Sequence, residues 1–234
     1  MTGRTFLDVG CGSGLFSLAA LRMGARVRSF DYDPDSVRAA EELRQEFAPH
    51  GDWSIQRASI LDADFVQELD QADIVYSWGV LHHTGNLWAA MEATCGLVAP
   101  GGKLYLSIYN DQGTESRIWM SVKRRYNTSG DVTRRLLIAG SLLYLGRHYP
   151  LSVARRLARR VRGSATGTLP RRRGMSRSHD LVDWVGGYPF EVAAPEQIFS
   201  FCRERGFELR YLKTCKGGIG CNEFLFTRGS TNGG

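Results

Sequence analysis

Hydrophobic and polar positions change period repeatedly along the chain, from the alternation typical of β-strands to the spacing of amphipathic helices. Alternating or apolar runs predict five strands, at residues 5–7, 26–30, 53–58, 73–78 and 103–109. Helical spacing follows the first, second and fourth of these runs, at residues 15–21, 36–47 and 86–97. Strands and helices that alternate in this way predict an α/β fold with a doubly wound, mostly parallel sheet.

The later part of the chain divides into two regions. Residues 195–205 predict a closing helix, and residues 207–213 and 222–227 predict two more strands, which makes the sheet seven-stranded. Residues 111–194 fit no repeating strand–helix unit and predict a helical insertion after the fifth strand. We therefore expect a core of residues 1–110, a basic helical insertion of residues 111–194 and a closing helix and strand hairpin of residues 195–228. Residues 229–234 are small and polar, which is typical of a disordered tail.

A glycine-rich turn, Asp8-Val9-Gly10-Cys11-Gly12-Ser13-Gly14, joins the first predicted strand to the first helix. Such a turn presents backbone N–H groups and a helix N-terminus to a nucleotide-like ligand. A dinucleotide-binding turn would have its third glycine where this chain has Leu15. The carboxylate of Asp8 suits instead a ligand that carries a cationic amine. The alternative interpretation is an ordinary tight turn between a strand and a helix.

Polar residues follow the other predicted strands at their carboxyl ends. Asp31 ends the second strand, 21 residues after Gly10, where a doubly wound sheet places the carboxylate that binds a ribose. A helix-capping role for Asp31 is the alternative, but Asp33 before Pro34 is the better cap. Ser59 follows the third strand, and residues 78–83 and 109–111 follow the fourth and fifth. All of these groups should meet at one edge of the sheet.

Four of these features together resemble the class I S-adenosylmethionine (SAM)-dependent methyltransferases over residues 5–109. They are the D-x-G-x-G-x-G turn, the position of Asp31, the Leu81-His82-His83 exit from the fourth strand and the Pro100-Gly101-Gly102 turn. The resemblance implies a Rossmann-like SAM methyltransferase fold with its seventh strand antiparallel. The stretch Tyr76-Ser77-Trp78-Gly79-Val80-Leu81-His82-His83 is most similar to ubiquinone-biosynthesis-type methylases, which act on hydroxylated, often prenylated, aromatic rings.

The resemblance implies SAM as the cofactor and assigns it a set of contacts. Asp31 corresponds to the ribose ligand and Tyr32 to the residue that lies against the adenine. Ser59 stands where many relatives have an acid that binds the adenine amino group, and Ile60 follows it. The predicted cofactor-binding residues are Asp8, Gly10, Cys11, Gly12, Gly14, Asp31, Tyr32, Ser59, Ile60 and Trp78. Relatives also carry helices before the first strand. Three alternatives follow for this chain: the insertion covers the pocket, a partner subunit covers it, or the cofactor stays unusually open.

Charge is distributed unevenly along the chain. The formal net charge is +6, but residues 117–173 contain 15 Lys and Arg and one acid, which leaves 15 basic and 23 acidic residues elsewhere. Residues 150–162 predict a basic amphipathic helix with Arg155, Arg156, Arg159, Arg160 and Arg162 on its polar face. Three interpretations are open: a solvated face of a substrate lid, a contact with an anionic membrane surface, or a nucleic-acid site. Nucleic acid ranks last, because residues 153–174 contain no aromatic residue that could stack on bases.

The cysteines and the apolar runs predict the compartment. The five cysteines are odd in number, scattered and never in C-x-x-C spacing, which argues against a disulfide framework or a metal site. Met1 leads directly into the first predicted strand, so no signal peptide is expected. The longest apolar run, residues 136–145, is too short to span a bilayer. We expect a cytoplasmic protein, peripheral to the membrane if the arginine helix binds lipid, with a homodimer as a further hypothesis.

Candidate catalytic groups lie where the fourth and fifth strands end. Adjacent side chains cannot both face a ligand, so we favour His83 over His82 as the histidine in the pocket. Tyr109, followed by Asn110 and Asp111, is the next candidate, and Cys11 has a packing role rather than a nucleophilic one. Further candidates in the insertion, which could close over the acceptor, are His179, Asp180 and Tyr188. Any of these could instead be a cap or a hydrogen-bonded core residue.

The sequence thus predicts methyl transfer from SAM to oxygen or carbon of a small, aromatic or lipophilic acceptor. A non-catalytic SAM-binding subunit is the rival hypothesis. An RNA methyltransferase is a weaker one, because methylases of nucleic-acid amines often have Asn/Asp-Pro-Pro-aromatic where this chain reads Trp78-Gly79-Val80-Leu81.

Overall fold

The computed structural model describes residues 1–146, 185–216, 218 and 220–230 of the 234-residue chain. These form two compact units. One contains Met1–Ser116 and Phe190–Gly234, and the other contains Arg117–Pro189. The second unit lies within the predicted insertion of residues 111–194.

The first unit is built on a seven-stranded sheet with the order β3-β2-β1-β4-β5-β7-β6. All neighbouring strands pair in parallel except β7, which is antiparallel to both β5 and β6. The strands are β1 (Thr5–Val9), β2 (Arg26–Asp31), β3 (Trp53–Arg57), β4 (Ala72–Trp78), β5 (Val98–Tyr109), β6 (Phe207–Lys213) and β7 (Cys221–Arg228). The predicted doubly wound, mostly parallel sheet with an antiparallel seventh strand is confirmed.

Seven described helices follow the strands along the chain. In chain order they are α1 (Leu15–Arg22), α2 (Pro34–Phe47), α3 (Ala63–Gln67), α4 (Leu87–Gly96), α5 (Thr114–Thr128), α6 (Asp131–Gly146) and α7 (Pro195–Glu204). Asp33 caps α2 as predicted, since its carboxylate accepts from the Asp35 and Ser36 N–H groups at 3.3 and 3.2 Å. The short α3 was not predicted. It begins at its cap Asp62, and Phe65 packs edge-on against Phe30.

The fifth strand is longer than its predicted range of residues 103–109. It begins at Val98, and its pairing with β4 shifts between Ala72↔Val98 and Ile74↔Lys103. The shift places the Pro-Gly-Gly segment inside the strand as an irregularity, with Gly101 at φ 72°. The segment therefore leaves the ladder with β4, as a turn does, but β5 begins before it, at Val98, and not after it as predicted.

Two apolar layers, one on each face of the sheet, hold the first unit together. On one face α4 and α7 pack on β1, β4, β5 and β7, with Met91, Leu104 and Phe224 fully buried. On the other face Leu18 of α1 and Ala40 of α2 pack against β1, β2 and β3. Along each strand, successive side chains enter the two layers in turn, because neighbouring residues of a strand point to opposite faces of the sheet.

The second unit contains most of α5, all of α6 and residues 185–189 among those described. The Trp119 and Tyr144 rings meet edge-on at 5.5 Å, and the Asn127 Nδ2 group donates to the Gly186 carbonyl at 3.0 Å. The predicted arginine helix at residues 150–162, the candidates His179 and Asp180, and the end of the predicted tail lie outside the described residues. No described helix is long and apolar enough to cross a membrane.

Candidate active site

Two of the three glycines in the turn after β1 are required by packing. Gly10 and Gly14 both have positive φ, 76° and 77°, which glycine adopts without strain. A Cβ on Gly10 would overlap the Val80 side chain, and one on Gly14 would lie 2.9 Å from the Trp53 ring. These two glycines therefore let the turn close onto the rest of the sheet.

Gly12, the middle glycine, has a different environment. Its φ is 52°, and a Cβ built on it would meet no atom within 4 Å. Its N–H group donates to the Asp31 Oδ2 atom at 2.9 Å. Gly12 is thus the point of the turn where a ligand can approach the backbone most closely.

Asp31 ends β2 at the edge where the turn lies. Its Oδ2 atom accepts from Gly12, and its Oδ1 atom accepts from the Asp33 N–H group at 2.9 Å. A carboxylate has about four lone-pair sites, so both oxygens can still accept from ligand hydroxyls. The next residue, Tyr32, leaves 73% of its surface exposed. The positions of both residues fit their predicted contacts with ribose and adenine.

Asp8 lies beneath the turn with only 2% of its surface exposed. Its carboxylate accepts a 2.6 Å hydrogen bond from the Ser17 hydroxyl of α1. Burial raises the pKa of Asp8 from 3.8 to about 7, with a further contribution from the charge of Asp31, although the Ser17 bond lowers it. Asp8 is therefore a buried carboxyl group that titrates near neutrality. Its contact with a cationic amine stays a prediction.

Cys11 is a buried residue of the glycine turn. Cys11 is 7% exposed, and burial raises the pKa of its thiol to about 12, ahead of the charges of Asp8 and Asp31. A thiol that stays protonated and packed suits the predicted packing role.

Ser59 and Ile60 follow β3. Ser59 is half-buried and its hydroxyl accepts from the Leu61 N–H group at 3.1 Å. Ile60 is 4% exposed and packs in the main core, so little of its side chain is left for a ligand.

The two histidines follow β4 in a single 3₁₀ turn, Leu81–His83. His82 is 1% exposed, its Nδ1 atom accepts from the Tyr109 N–H group at 3.3 Å, and its carbonyl accepts from the Glu191 N–H group at 2.9 Å. His83 is only half-buried, and its ring stands edge-on to the Tyr109 ring at 5.5 Å. His82 thus connects backbone segments, and His83 is the more accessible of the pair, in keeping with the preference for it.

Tyr109 lies against both histidines, with its ring centroid 4.0 Å from that of His82. Burial, together with the neighbouring Cys221, raises the pKa of the Tyr109 phenol to about 12. At neutral pH this phenol is a hydrogen-bond donor rather than a base.

The side chains of Asn110 and Asp111 form hydrogen bonds within the fold. The Asn110 Oδ1 atom accepts from the Asn222 side-chain amide at 2.9 Å, and the Asp111 Oδ1 atom accepts from the Gly113 N–H group at 2.8 Å.

Trp78 belongs to a row of aromatic rings on one face of the sheet. Its ring stacks on Tyr105 at 5.7 Å and 7°, and lies 6.2 Å from Phe16 of α1. Gly79, which follows it, has a φ of 74° and no atom within 4 Å of a Cβ built on it. Gly79 therefore offers open backbone beside the turn, as Gly12 does, although the sequence did not single it out as a site residue.

Glu191 is a second residue that the sequence did not single out. Its N–H group bonds to the His82 carbonyl, and its Oε1 atom accepts from the Leu87 N–H group, at the start of α4, at 3.1 Å. Glu191 therefore holds the end of the predicted insertion against the histidine turn. No local pattern could have indicated this, because the bond to Leu87 spans 104 residues.

Replacing Glu191 with alanine should lower the free energy of unfolding by about 1–2 kcal/mol, because the Leu87 N–H group loses its acceptor. Glu92→Ala is the matched control, because Glu92 lies on α4, the helix that Leu87 begins, and its replacement removes only an exposed ion pair with Arg205. Its cost should stay below about 1 kcal/mol. Urea unfolding of the three proteins measures both values. Equal losses in the two variants would contradict the capping role of Glu191.

The glycine turn, Asp31 and the histidine turn all lie within the part of the chain that matches a known domain family. Residues 7–104, which contain these three features, match the methyltransferase-domain family. This part of the chain is a class I SAM-dependent methyltransferase domain. The predicted family resemblance is confirmed. Among the described residues, no group of three or more His, Cys, Asp or Glu side chains could hold a metal ion within the methyltransferase domain or elsewhere.

The methyltransferase domain is also similar to a curated relative. Over 110 residues the chain is 34% identical to the ubiquinone biosynthesis O-methyltransferase of Xanthomonas oryzae pv. oryzae (strain PXO99A). The alignment covers 47% of this chain and 45% of the relative, so it spans less than half of that protein. The predicted similarity to ubiquinone-biosynthesis-type methylases is therefore confirmed for this part of the chain.

Solved structures share the fold at low sequence identity. The magnesium protoporphyrin IX methyltransferase of Synechocystis PCC 6803 with bound SAM gives a TM-score of 0.54 at 15% identity, covering 97% of this chain and 71% of that one. A [4+2]-cyclase gives a TM-score of 0.57 at 14% identity, covering 98% of this chain and 76% of that one. These likenesses concern the fold of the methyltransferase domain and not its chemistry.

Proposed function

We propose that this chain binds SAM at the carboxyl edge of its sheet and transfers the methyl group to oxygen or carbon of a small, aromatic or lipophilic acceptor. The observation that carries the proposal is the pairing of Gly12 with Asp31. An open glycine at positive φ is bonded to a carboxylate at the end of the neighbouring strand. This pairing holds open backbone at Gly12 beside a hydroxyl-binding carboxylate, both within one ligand's reach. The acceptor class rests on the similarity to the ubiquinone biosynthesis O-methyltransferase.

SAM, when bound, supplies a methyl group on a sulfonium sulfur, already activated for in-line displacement. The residues of this chain have to hold and align the reactants and exclude water. Gly12 and Asp31 would bind the nucleoside part, with Tyr32 against the adenine. His83 would accept or orient the proton of an acceptor hydroxyl. Tyr109 would act as a hydrogen-bond donor, in accordance with its raised pKa.

A second candidate function is SAM binding without methyl transfer. It is favoured by the likeness to a [4+2]-cyclase, because the same fold there belongs to an enzyme named for another reaction. Accessible, half-buried His83 beside Tyr109 supports the catalytic alternative instead. RNA methylation stays the weakest hypothesis, because residues 78–81 lack the motif typical of methylases of nucleic-acid amines.

Incubation with methyl-labelled SAM and a cell extract separates these functions. The extract is then divided into lipid, nucleic-acid and small-metabolite fractions. We expect label in the lipid or small-metabolite fraction, and its loss with Asp31→Ala. Calorimetric binding of SAM with no label in any fraction would favour the non-catalytic function. Label confined to RNA would refute the small-molecule acceptor.

The cytoplasmic location, the homodimer and the membrane contact stay predictions. The membrane contact depends on the arginines of residues 155–162, which lie outside the described residues. Tyr188 is described and 44% exposed, but its role over the acceptor is a prediction as well.

A further inference from the structure

Two cysteines, Cys215 and Cys221, stand on either side of the turn between β6 and β7. The last register pairs of this hairpin are Leu212↔Phe224 and Lys213↔Glu223. Continued two residues beyond the paired part of the hairpin, the same register would place Cys215 opposite Cys221. Opposed residues in antiparallel pairs have Cα atoms about 4.5–5.5 Å apart, which lies within the roughly 4.4–6.8 Å that a disulfide spans.

Local contacts place the Cys215 side chain within this hairpin. A Cβ built on Gly220 would lie 3.3 Å from the Cys215 Cβ atom. The Cys215 N–H group donates to the Asn222 side-chain oxygen at 3.1 Å, and its Sγ atom donates to the Gly218 carbonyl at 3.0 Å. The contact with Gly220 places the Cys215 Cβ atom beside the residue that precedes Cys221.

The accessibility of the cysteines distinguishes this pair from the others. Cys11, Cys95 and Cys202 are 7%, 3% and 0% exposed, so an oxidant in solution does not reach them. Cys215 and Cys221 are both partly exposed. Thiol reactivity toward oxidants follows exposure and thiolate character. The hairpin pair is therefore the accessible dithiol of this chain.

We propose that Cys215 and Cys221 are a reversible disulfide site that is oxidised by low-molecular-weight disulfides such as glutathione disulfide. The Cys215 thiolate attacks one sulfur of glutathione disulfide, and a glutathione thiolate leaves. The Cys221 thiol then loses its proton and attacks the Cys215 sulfur, which releases the second glutathione. Two protein thiols are oxidised, one glutathione disulfide is reduced to two glutathione molecules, and the Cys215–Cys221 bond forms.

The pKa of Cys221 determines the expected rate of the second step, in which Cys221 attacks the Cys215 sulfur. Burial, together with the nearby Cys215, raises the pKa of Cys221 to about 11, although a bond with Ser107 lowers it. At neutral pH the resolving thiol is thus mostly protonated. The rate of the second step should rise roughly tenfold per pH unit between pH 7 and 9, since the thiolate is the attacking form.

The position of the pair gives oxidation a structural consequence. Tyr109 pairs with Cys221 in the register of β5 and β7, and the Asn110 N–H group donates to the Gly220 carbonyl at 2.9 Å. A disulfide would fix the turn that these contacts attach to the end of β5. The dithiol therefore adjoins the Tyr109 end of the candidate active site.

Peptide mapping of the full chain tests the site. The reduced protein is incubated with glutathione disulfide, its remaining thiols are alkylated, and trypsin cleaves after Lys213, Lys216 and Arg228. Cys215 and Cys221 then lie in separate peptides, which only a disulfide joins. We expect the joined peptides, at a mass two hydrogen atoms below their sum, and their disappearance after reduction.

Two variants control the mapping. Cys215→Ser should leave Cys221 alkylated, and Cys95→Ser should still give the joined peptides. Stable glutathionylation of Cys215 without joined peptides would overturn the proposal. A bond between Cys95 and Cys202, or a disulfide between two copies of the chain, would overturn it too. A rate of the second step that does not change between pH 7 and 9 would contradict Cys221 as the resolving thiol.

Discussion

Replacing Gly12 with valine should weaken SAM binding at least 100-fold. The valine side chain would fill the open space above the turn, where no atom lies within 4 Å of the position that a Cβ on Gly12 would take. It would also force a β-branched residue into a positive φ of 52°, which costs about 1–3 kcal/mol. Isothermal titration calorimetry measures the affinity, and a thermal melt measures the strain.

Gly206 provides the matched control for this substitution. It has a φ of 78° and equally open surroundings, but it lies before β6, at the opposite edge of the sheet from the glycine turn. Gly206→Val should therefore lower stability by a similar amount and leave SAM binding unchanged. If both valine variants bound SAM equally well, the turn would not be the cofactor site. Asp31→Ala should also abolish binding, because it removes both the carboxylate and the Gly12 bond.

Replacing Asp8 with asparagine should stabilise the protein at pH 8 and have little effect at pH 4. The folded-state pKa of about 7 lies above the ordinary value of 3.8, so the folded state holds this proton more tightly than the unfolded state does. The stabilising contribution of the protonated group is complete below about pH 4 and is lost as the pH rises through 7. At 1.36 kcal/mol per pKa unit, ionised Asp8 costs roughly 4 kcal/mol at pH 8.

Urea unfolding of both proteins at pH 4, 6 and 8 measures this difference. The asparagine variant should gain about 2–4 kcal/mol over the natural protein between pH 4 and pH 8. Ser17→Ala serves as a control, because it removes the 2.6 Å bond to Asp8 and leaves the carboxyl group in place. A difference between Asp8→Asn and the natural protein that does not vary with pH would show that Asp8 does not titrate in this range.

Much of the first unit could be predicted from the sequence because its signals are local. Strand and helix periods located the sheet, and the turn with Asp31 located the edge at which we propose that SAM binds. Parallel strands bring their carboxyl ends to one edge regardless of sequence details, so the convergence of Gly12, Asp31 and His83 followed from the topology. The position of Asp33 before Pro34 likewise indicated the start of α2 from neighbouring residues alone.

The remaining features depend on contacts between distant residues. Only the structure separates Gly12, which faces open space, from Gly10 and Gly14, which face Val80 and Trp53. Glu191 gains its role from Leu87 and His82, and no spacing rule connects these residues. The irregularity in β5 arises because Val98 still pairs with Ala72 before the Pro-Gly-Gly segment. The segment itself leaves the ladder, since residues 99–102 have no partner on β4.

The close contact of Gly10 with Val80 has a consequence for the distance between the glycine turn and the histidine turn. Val80 lies two residues before His82 in the exit from β4, while Gly10 lies in the turn that would hold the methyl donor. In the proposed site, a side chain at Gly10 would push the turn away from Val80 and so would separate the methyl donor from the histidine turn. Displacing reacting groups by about 1 Å can slow a reaction on the order of 100-fold. We therefore expect Gly10→Ala to slow methyl transfer although the added methyl group touches neither reactant.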